Sequence, residues 1–311
     1  MKVGRAGPLL VGFDEQRQRW VDITAVAGND LIAFLAGGAA TAARARELMH
    51  AATEAAPTPG GLPFEPTSLR DFSLWEEHMI AGARGLVNSF APLPVRALVR
   101  AFETITRSDF PPLKPKRNFR AEPQFYFGNH HTIVADGSVI SWPSYSNALD
   151  FELELGVVIS RPVRDCSPEQ GREAIGGFVV FNDCTARDTQ WRDVRGNSLG
   201  GMVKAKSFAS AISAIAVTAD AVIDHWQALT GRVRVNGETF CQTSAEGPVH
   251  DLGDMVAYAA RGETLEAGAL LGTGTFPGGC GLESSRFLRR GDVVECEIAE
   301  IGSVTVTYGS L

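Results

Sequence analysis

The segment Asp150-Phe151-Glu152-Leu153-Glu154-Leu155-Gly156-Val157-Val158-Ile159 holds the residues best suited to chemistry. On a β-strand alternate side chains share a face, so Glu152 and Glu154 lie together with Cα atoms about 7 Å apart. Phe151, Leu153 and Leu155 then line the opposite face. Two carboxylates held side by side repel, and in a partly buried site they are stable when a cation neutralises them. On an edge strand the same pattern is a solvated acidic face, and the segment alone leaves both readings open. A second acidic element follows. The buried-type strand Gly176-Gly177-Phe178-Val179-Val180-Phe181 runs into Asn182-Asp183 and then Thr185-Ala186-Arg187-Asp188-Thr189-Gln190. It delivers an acid, a base and an amide (Asp183, Arg187 and Gln190) to one spot, although Asp183 could equally cap the following helix.

The elements that position these groups belong to an ordinary globular chain. At 311 residues, with 44% hydrophobic and 21% charged, it has material for a sizeable core and for roughly two units of about 150 residues. A net charge of −7 offers no basic face for displacing counterions from a phosphate backbone, so nucleic acid is excluded as a partner. The five cysteines, Cys166, Cys184, Cys241, Cys280 and Cys296, form no CxxC pair, which argues against a zinc motif or a disulfide scaffold. The N-terminus does not read as a signal peptide. The longest weakly charged stretch, Leu31 to Ala43, is too short to span a bilayer, so a cytoplasmic protein without membrane partners is expected.

Along the chain, Pro8–Gly12 and Trp20–Ile23 read as strands and Thr41–Ala55 as a helix. The Pro57–Pro63 stretch is linker chemistry, fixed at Pro and free at Gly. Helical regions over Leu74–Val87 and Val95–Thr106 precede a second breaker at Pro111–Pro115. From about residue 120 the pattern changes to Gly-punctuated strands. Ser138–Trp142, Phe151–Ile159 and Gly177–Phe181 are strand runs, Val233–Val235 enters an Asn236-Gly237 hairpin turn, and Val293–Ile298 pairs with Ser303–Tyr308. Helices are expected over Pro168–Ala174, Ala219–Leu229 and Leu252–Ala260. Strands with scattered helices, rather than βαβ alternation, predict a β-rich α+β fold. The divisions expected are a small N-terminal domain (1–62), a helical connector or lid (63–118) and a main domain (119–311).

The two acidic segments, followed by Lys204-Ala205-Lys206-Ser207-Phe208 and later by Gly272-Thr273-Gly274-Thr275, strongly resemble the fumarylacetoacetate hydrolase family. The family pattern is an E-x-E strand, an N/D-D-x-[ST]-A-R-D-x-Q element, a K-S-F segment and a T-G-T loop. The resemblance runs from about residue 120 to the end. It implies a mixed β-sandwich roll preceded by a small α/β domain, and a homodimer. It also implies that Glu152, Glu154 and Asp183 bind a divalent cation, Mg²⁺ first, with Mn²⁺ or Ca²⁺ as substitutes. Lys206 then lies beside metal and substrate, while Gln190, Thr275 and Arg187 contact the ligand, Arg187 also anchoring the carboxylates.

Ser68 to His78 resembles the segment supplying the family's catalytic histidine, with Asp71, seven residues before His78, as a fourth metal ligand. Single-domain acylpyruvate-cleaving members orient that histidine with a glutamate three residues later, where this chain has Ala81. A glutamate just beyond the T-G-T loop, Glu283, is the expected partner instead. A substrate-binding arginine of the family has no clear counterpart, and the position before the E-x-E strand meets Phe125-Tyr126-Phe127-Gly128-Asn129-His130-His131. On a strand the two adjacent histidines face opposite ways, and His131 is taken as the one lining the pocket.

The resemblance implies a metal-dependent hydrolase that cleaves a C–C bond in a β-diketone or acylpyruvate-type acid. His78, oriented by Glu283, would deprotonate water, and Lys206 with Gln190 would stabilise the oxyanion. Decarboxylation of a 2-oxo diacid, or isomerisation or hydration of a 2-hydroxydienoate, would use the same site. A non-catalytic small-molecule binder on the same scaffold is the third reading.

Overall fold

The E-x-E segment enters the middle of a sheet. The computed structural model describes residues 1–196 and 201–309. In chain order the elements are β1 (Lys2–Ala6), β2 (Leu9–Asp14), β3 (Arg19–Asp22), α1 (Gly38–Ala51), β4 (Ser68–Phe72), α2 (Glu76–Phe90) and α3 (Leu93–Thr106). Then come β5 (Phe125–Gly128), β6 (Ile133–Ala135), β7 (Leu153–Ile159), α4 (Pro168–Ala174), β8 (Ile175–Asn182) and α5 (Arg187–Gly196). The last part holds β9 (Ser210–Ile212), β10 (Ile215–Thr218), β11 (Thr230–Val235), β12 (Glu238–Ser244), α6 (Leu252–Ala259), β13 (Ala269–Gly272), β14 (Asp292–Ile298) and β15 (Gly302–Tyr308).

The main sheet runs β3-β2-β1-β10-β8-β7-β13-β4-β5, with β9 joining β8 to β6. A second sheet runs β12-β11-β14-β15 and ends on Val139–Ile140. The fold is therefore mixed α+β, as the strand-rich pattern predicts. Residues 1–62, expected to stand as a small domain, contribute three strands to the main sheet, with Val3 opposite Ala216.

Both faces of the main sheet are dry, because its central strands have apolar residues at both parities. Leu153, Leu155, Val157, Val180 and Leu271 pack toward the second sheet, against Val294, Cys296, Val304 and Val306. Val158, Val179, Phe181 and Leu270 pack on the opposite side with Phe34, Leu35, Ala45 and Met49. A solvated edge strand is thereby excluded for β7, all seven residues of which are buried.

Local expectations hold where turn and cap chemistry is strong. Asn236 and Gly237 take φ of 54° and 82°, the left-handed pair that a two-residue hairpin requires. α4 carries a capping box from Ser167 and Gln170. The helix expected over Ala219–Leu229 is instead two 3₁₀ turns, Ala219–Ala221 and Trp226–Ala228. Tertiary packing overrides propensity here: Val222 and Trp226 are buried, and the Trp226 indole N–H donates to Asp251 at 2.9 Å. Among the described residues no helix is long and apolar enough to cross a membrane.

Because Leu155 is fully buried at the centre of β7, Leu155→Ala is expected to cost about 2–5 kcal/mol. Urea denaturation measures this, and a loss well under 1 kcal/mol would contradict the packing described.

Candidate active site

Strand register brings the carboxylates together. Asp71 at the end of β4 stands opposite Gly272 of β13, and Gly272 stands opposite Gly156 of β7. Glu154, two residues from Gly156, shares that face. The absent side chain at Gly272 makes the room: a Cβ there would overlap Asp71 Oδ1 and lie 2.8 Å from Glu154 Oε2. Asp183, just past β8, completes the group, so that Asp71, Glu154 and Asp183 each offer an oxygen within 4.8 Å of the others. Asp183 does not cap the next helix, which begins at Arg187. Its carboxylate accepts instead from Lys206 and, at 2.8 Å, from the Tyr126 hydroxyl.

These three carboxylates are poorly compensated. Glu154 accepts from the Gly274 N–H at 2.9 Å and the Thr275 hydroxyl at 3.4 Å. Asp71 Oδ1 is buried without a hydrogen-bond partner among the described residues. Burial, and then the charge of Asp71, pushes the Glu154 carboxyl well above its ordinary range. Burial likewise raises Asp183 strongly and Asp71 less, with Lys206 opposing both. Three converging oxygens, one of them unpartnered, fit a hard divalent cation better than they fit one another.

Glu152 lies apart from that triad, among cations. It accepts from Lys206 and stands 2.8 Å from Arg187 Nη1 and 4.0 Å from His78 Nε2. Burial works to raise its carboxyl, but Arg187, Lys206 and His78 together outweigh that and hold it far below the usual range. Arg187 Nε also donates to Asp150 at 2.8 Å, and Arg187 Nη1 donates to Gln190 Oε1 at 2.9 Å. Asp150 in turn accepts from the N–H groups of Gly281 and Leu282, at 2.9 and 2.8 Å. Asp150 and Tyr126 are the site residues that sequence reasoning missed. Asp150 shared the strand parity of Glu152 and Glu154, which was a usable signal; Tyr126 lay in the segment where the resemblance expects a tyrosine or lysine, but its contact with Asp183 required β5 beside β4.

His78 sits in the first turn of α2, and its Nδ1 lies 2.7 Å from Glu283 Oε1. Two further contacts fix the pair. The Gly278 N–H donates to both oxygens of Glu283 at 3.0 Å. Gly85 lets α2 lie directly on the loop, since a Cβ there would overlap the Leu282 carbonyl oxygen. With Glu283 accepting from Nδ1–H, Nε2 is left as the basic nitrogen. The site opens into a cavity of about 480 Å³ lined by His78, Glu152, Glu154, Lys206, Gln190 and Thr275 together with apolar side chains.

His131 is not brought to this place. His130–Thr132 forms a 3₁₀ turn instead of a strand, so the two adjacent rings lie together, tilted by 39° with centroids 4.0 Å apart. The Asn129 side chain accepts from the His131 N–H and caps that turn. His131 is exposed and does not line the cavity. Thr275 touches Glu154 from within the cavity, and Arg187 is held by carboxylates on two sides.

A family model described as "Fumarylacetoacetate (FAA) hydrolase C-terminal" matches residues 104–308. An uncharacterized protein of Archaeoglobus fulgidus is 33% identical over 181 residues, 58% of this chain and 67% of its own length. The mitochondrial oxaloacetate tautomerase Fahd2a of Rattus norvegicus is 29% identical over 255 residues, 78% of this chain and 80% of that protein. The oxaloacetate tautomerase YisK of Bacillus subtilis is 31% identical over 189 residues, 57% of this chain and 58% of that one. Among solved structures, a putative HpcE protein from Mycobacterium smegmatis superposes with a TM-score of 0.70 at 20% identity, covering 100% and 99% of the two chains. A fumarylacetoacetate hydrolase from Exiguobacterium antarcticum gives 0.69 at 21%, covering 100% and 98%.

Two outcomes follow from this geometry. Saturating Mg²⁺, at about a hundredfold above its Kd, should stabilise the protein by about 2.7 kcal/mol, read as a rise in Tm. Gly272→Ala, which fills the carboxylate cradle, should abolish that rise, and an unchanged rise would contradict the cation site. Gly85→Ala should keep the Mg²⁺-dependent rise but lose the downfield proton resonance of His78 Nδ1–H in NMR spectra. Survival of that resonance would show that α2 packing does not hold the His78–Glu283 pair.

Proposed function

The chain belongs to the fumarylacetoacetate hydrolase family, and on that footing we propose that it hydrolyses a C–C bond in an acylpyruvate-type 2,4-dioxo acid with an apolar acyl group. The observation that carries this reading is the His78–Glu283 pair, at 2.7 Å, facing the carboxylate-lined cavity. A histidine so oriented is a general base for water.

Asp71, Glu154 and Asp183 would hold the divalent cation, with Glu152 beside them. Once bound, that cation supplies Lewis acidity toward the keto and carboxylate oxygens of the acid. The chain's own groups do the rest. His78 Nε2 takes a proton from water, and Glu283 stabilises the imidazolium that forms. Hydroxide adds to the distal carbonyl carbon. The Gln190 amide, which lines the cavity with no oxygen partner for its NH₂ group among the described residues, donates to the oxyanion. When the C–C bond breaks, its electron pair passes into the 2-oxo acid fragment as an enolate. The His78 imidazolium returns its proton to that carbon, so one water yields a carboxylic acid and pyruvate. Lys206, held by Glu152 and Asp183, keeps a positive charge beside the developing anion.

The apolar part of the cavity lining supports the apolar acyl group. Met79, Leu86, Phe119, Val194 and Leu282 line it. Among the described lining residues the permanent cations are Arg187 and Lys206, and both are paired with carboxylates. A second substrate carboxylate would find no free cation there.

Keto–enol interconversion of a 2-oxo diacid is the second reading, favoured by the likeness to the rat tautomerase across 78% of this chain. In it His78 would move a proton to and from carbon with no water consumed.

A panel of alkyl and aryl acylpyruvates, with enol-oxaloacetate beside them, separates the two in the presence of Mg²⁺ and again after EDTA. Mg²⁺-dependent formation of pyruvate and a carboxylic acid is expected, with His78→Ala lowering kcat by about 10²–10⁴-fold. Ketonisation of oxaloacetate without cleavage of any acylpyruvate would overturn the hydrolase in favour of the tautomerase.

A further inference from the structure

Cys280 has no part in the chemistry above, yet its thiol lies against the carboxylate that orients the general base. It is buried and free of any disulfide, and its Sγ stands 3.7 Å from Glu283 Oε1. That oxygen is the one 2.7 Å from His78 Nδ1. His78, Cys280 and Glu283 each offer one donor atom within 4.8 Å of the other two. The backbone restrains the group: Cys280 pairs with Glu152 in a β-bridge, and the Gly278 N–H grips the Glu283 carboxylate.

The donor chemistry of this trio differs from that of its neighbour. Asp71, Glu154 and Asp183 present oxygen only, which suits hard ions. An imidazole nitrogen, a thiol sulfur and a carboxylate oxygen suit a borderline ion such as Zn²⁺, for which three protein ligands plus a water is a familiar set. We propose that His78, Cys280 and Glu283 form a second, inhibitory site that takes Zn²⁺ and in doing so takes the catalytic pair apart.

Bond lengths of about 2.0–2.3 Å place tetrahedral ligand atoms about 3.4 Å from one another. The Sγ–Oε1 separation of 3.7 Å is close to that value. Nδ1 and Oε1, now 2.7 Å apart, would part by about 0.7 Å to admit the ion. Binding expels the thiol proton to solvent and displaces the single imidazole hydrogen from Nδ1, where Glu283 accepts it, to Nε2. An imidazole that gives its Nδ1 lone pair to zinc carries its hydrogen on Nε2. His78 then has no base to offer the cavity. The inhibition rests on the role of His78 proposed above, whereas occupancy of the site does not.

The test uses the full chain, freed of other metals and held in saturating Mg²⁺, with Co²⁺ as the spectroscopic probe. One equivalent of Co²⁺ should produce a sulfur-to-cobalt charge-transfer band in the near ultraviolet. The band should vanish in Cys280→Ser and Cys280→Ala and persist in Cys241→Ser. Glu283→Gln, which leaves the thiol in place, should weaken Co²⁺ binding by at least about tenfold. In turnover assays Cys280→Ser should raise the half-inhibiting Zn²⁺ concentration by at least about tenfold. Absence of the band in the unsubstituted protein, or its survival in both Cys280 variants, would overturn the site. Loss of the band with Zn²⁺ inhibition unchanged would overturn the inhibitory role. The cobalt spectrum needs no substrate, so a failed hydrolase reading and a failed zinc site give different results.

Discussion

Five buried carboxylates, Asp71, Asp150, Glu152, Glu154 and Asp183, face two buried permanent cations, Arg187 and Lys206. Much of the site is arranged around that imbalance. Buried charge is tolerated only when paired and hydrogen-bonded, and the two cations are spent on Asp150, Glu152 and Asp183. Among the described residues Glu154 is left with a backbone N–H and a distant hydroxyl, and Asp71 with an oxygen that has no partner. The mismatch is greatest where three carboxylates converge, which is where an added cation would stabilise most.

The fold holds this unfavourable arrangement by making its surroundings rigid and dry. β7 is packed on both faces, and its register with β8 and β13 fixes where Glu154 and Asp183 emerge. Glycine at position 272 removes the one side chain that would separate Asp71 from Glu154. Arg187 links the acidic strand to the loop after β13 through Asp150, whose carboxylate holds the N–H groups of Gly281 and Leu282. Charge neutralisation and loop positioning are thus one network. Glu283 sits on that loop and inherits its placement.

The His78–Glu283 pair joins residues 205 positions apart. It depends on a close helix–loop contact at Gly85 and on a carboxylate gripped by a backbone N–H. The same crowding that orients the histidine sets the Cys280 thiol against it, so a site built for proton transfer also gathers nitrogen, sulfur and oxygen donors.

Much was legible in the residues themselves. The period-2 alternation through Asp150–Leu155, the Asn236-Gly237 turn, the helix over Pro168–Ala174 and the apolar strand ending at Asp183 are local features, governed by backbone sterics and side-chain periodicity. The family resemblance added which carboxylates, lysine and histidine to watch. Other features were not legible. That Glu152 turns to Arg187 and Lys206 while Asp71 joins Glu154 depends on which strands pair and in what register. His131 was misplaced because a side-chain cap at Asn129 made a 3₁₀ turn of an expected strand. Tyr126 and Cys280 join the site only through β5 lying beside β4 and the loop after β13 closing over β7. Sequence determined the kinds of chemistry available, because residue type and short-range periodicity are local. Which groups share a charge, a proton or an ion was settled by contacts between residues 23 to 205 positions apart, because Coulombic and hydrogen-bonding energies depend on distance in space.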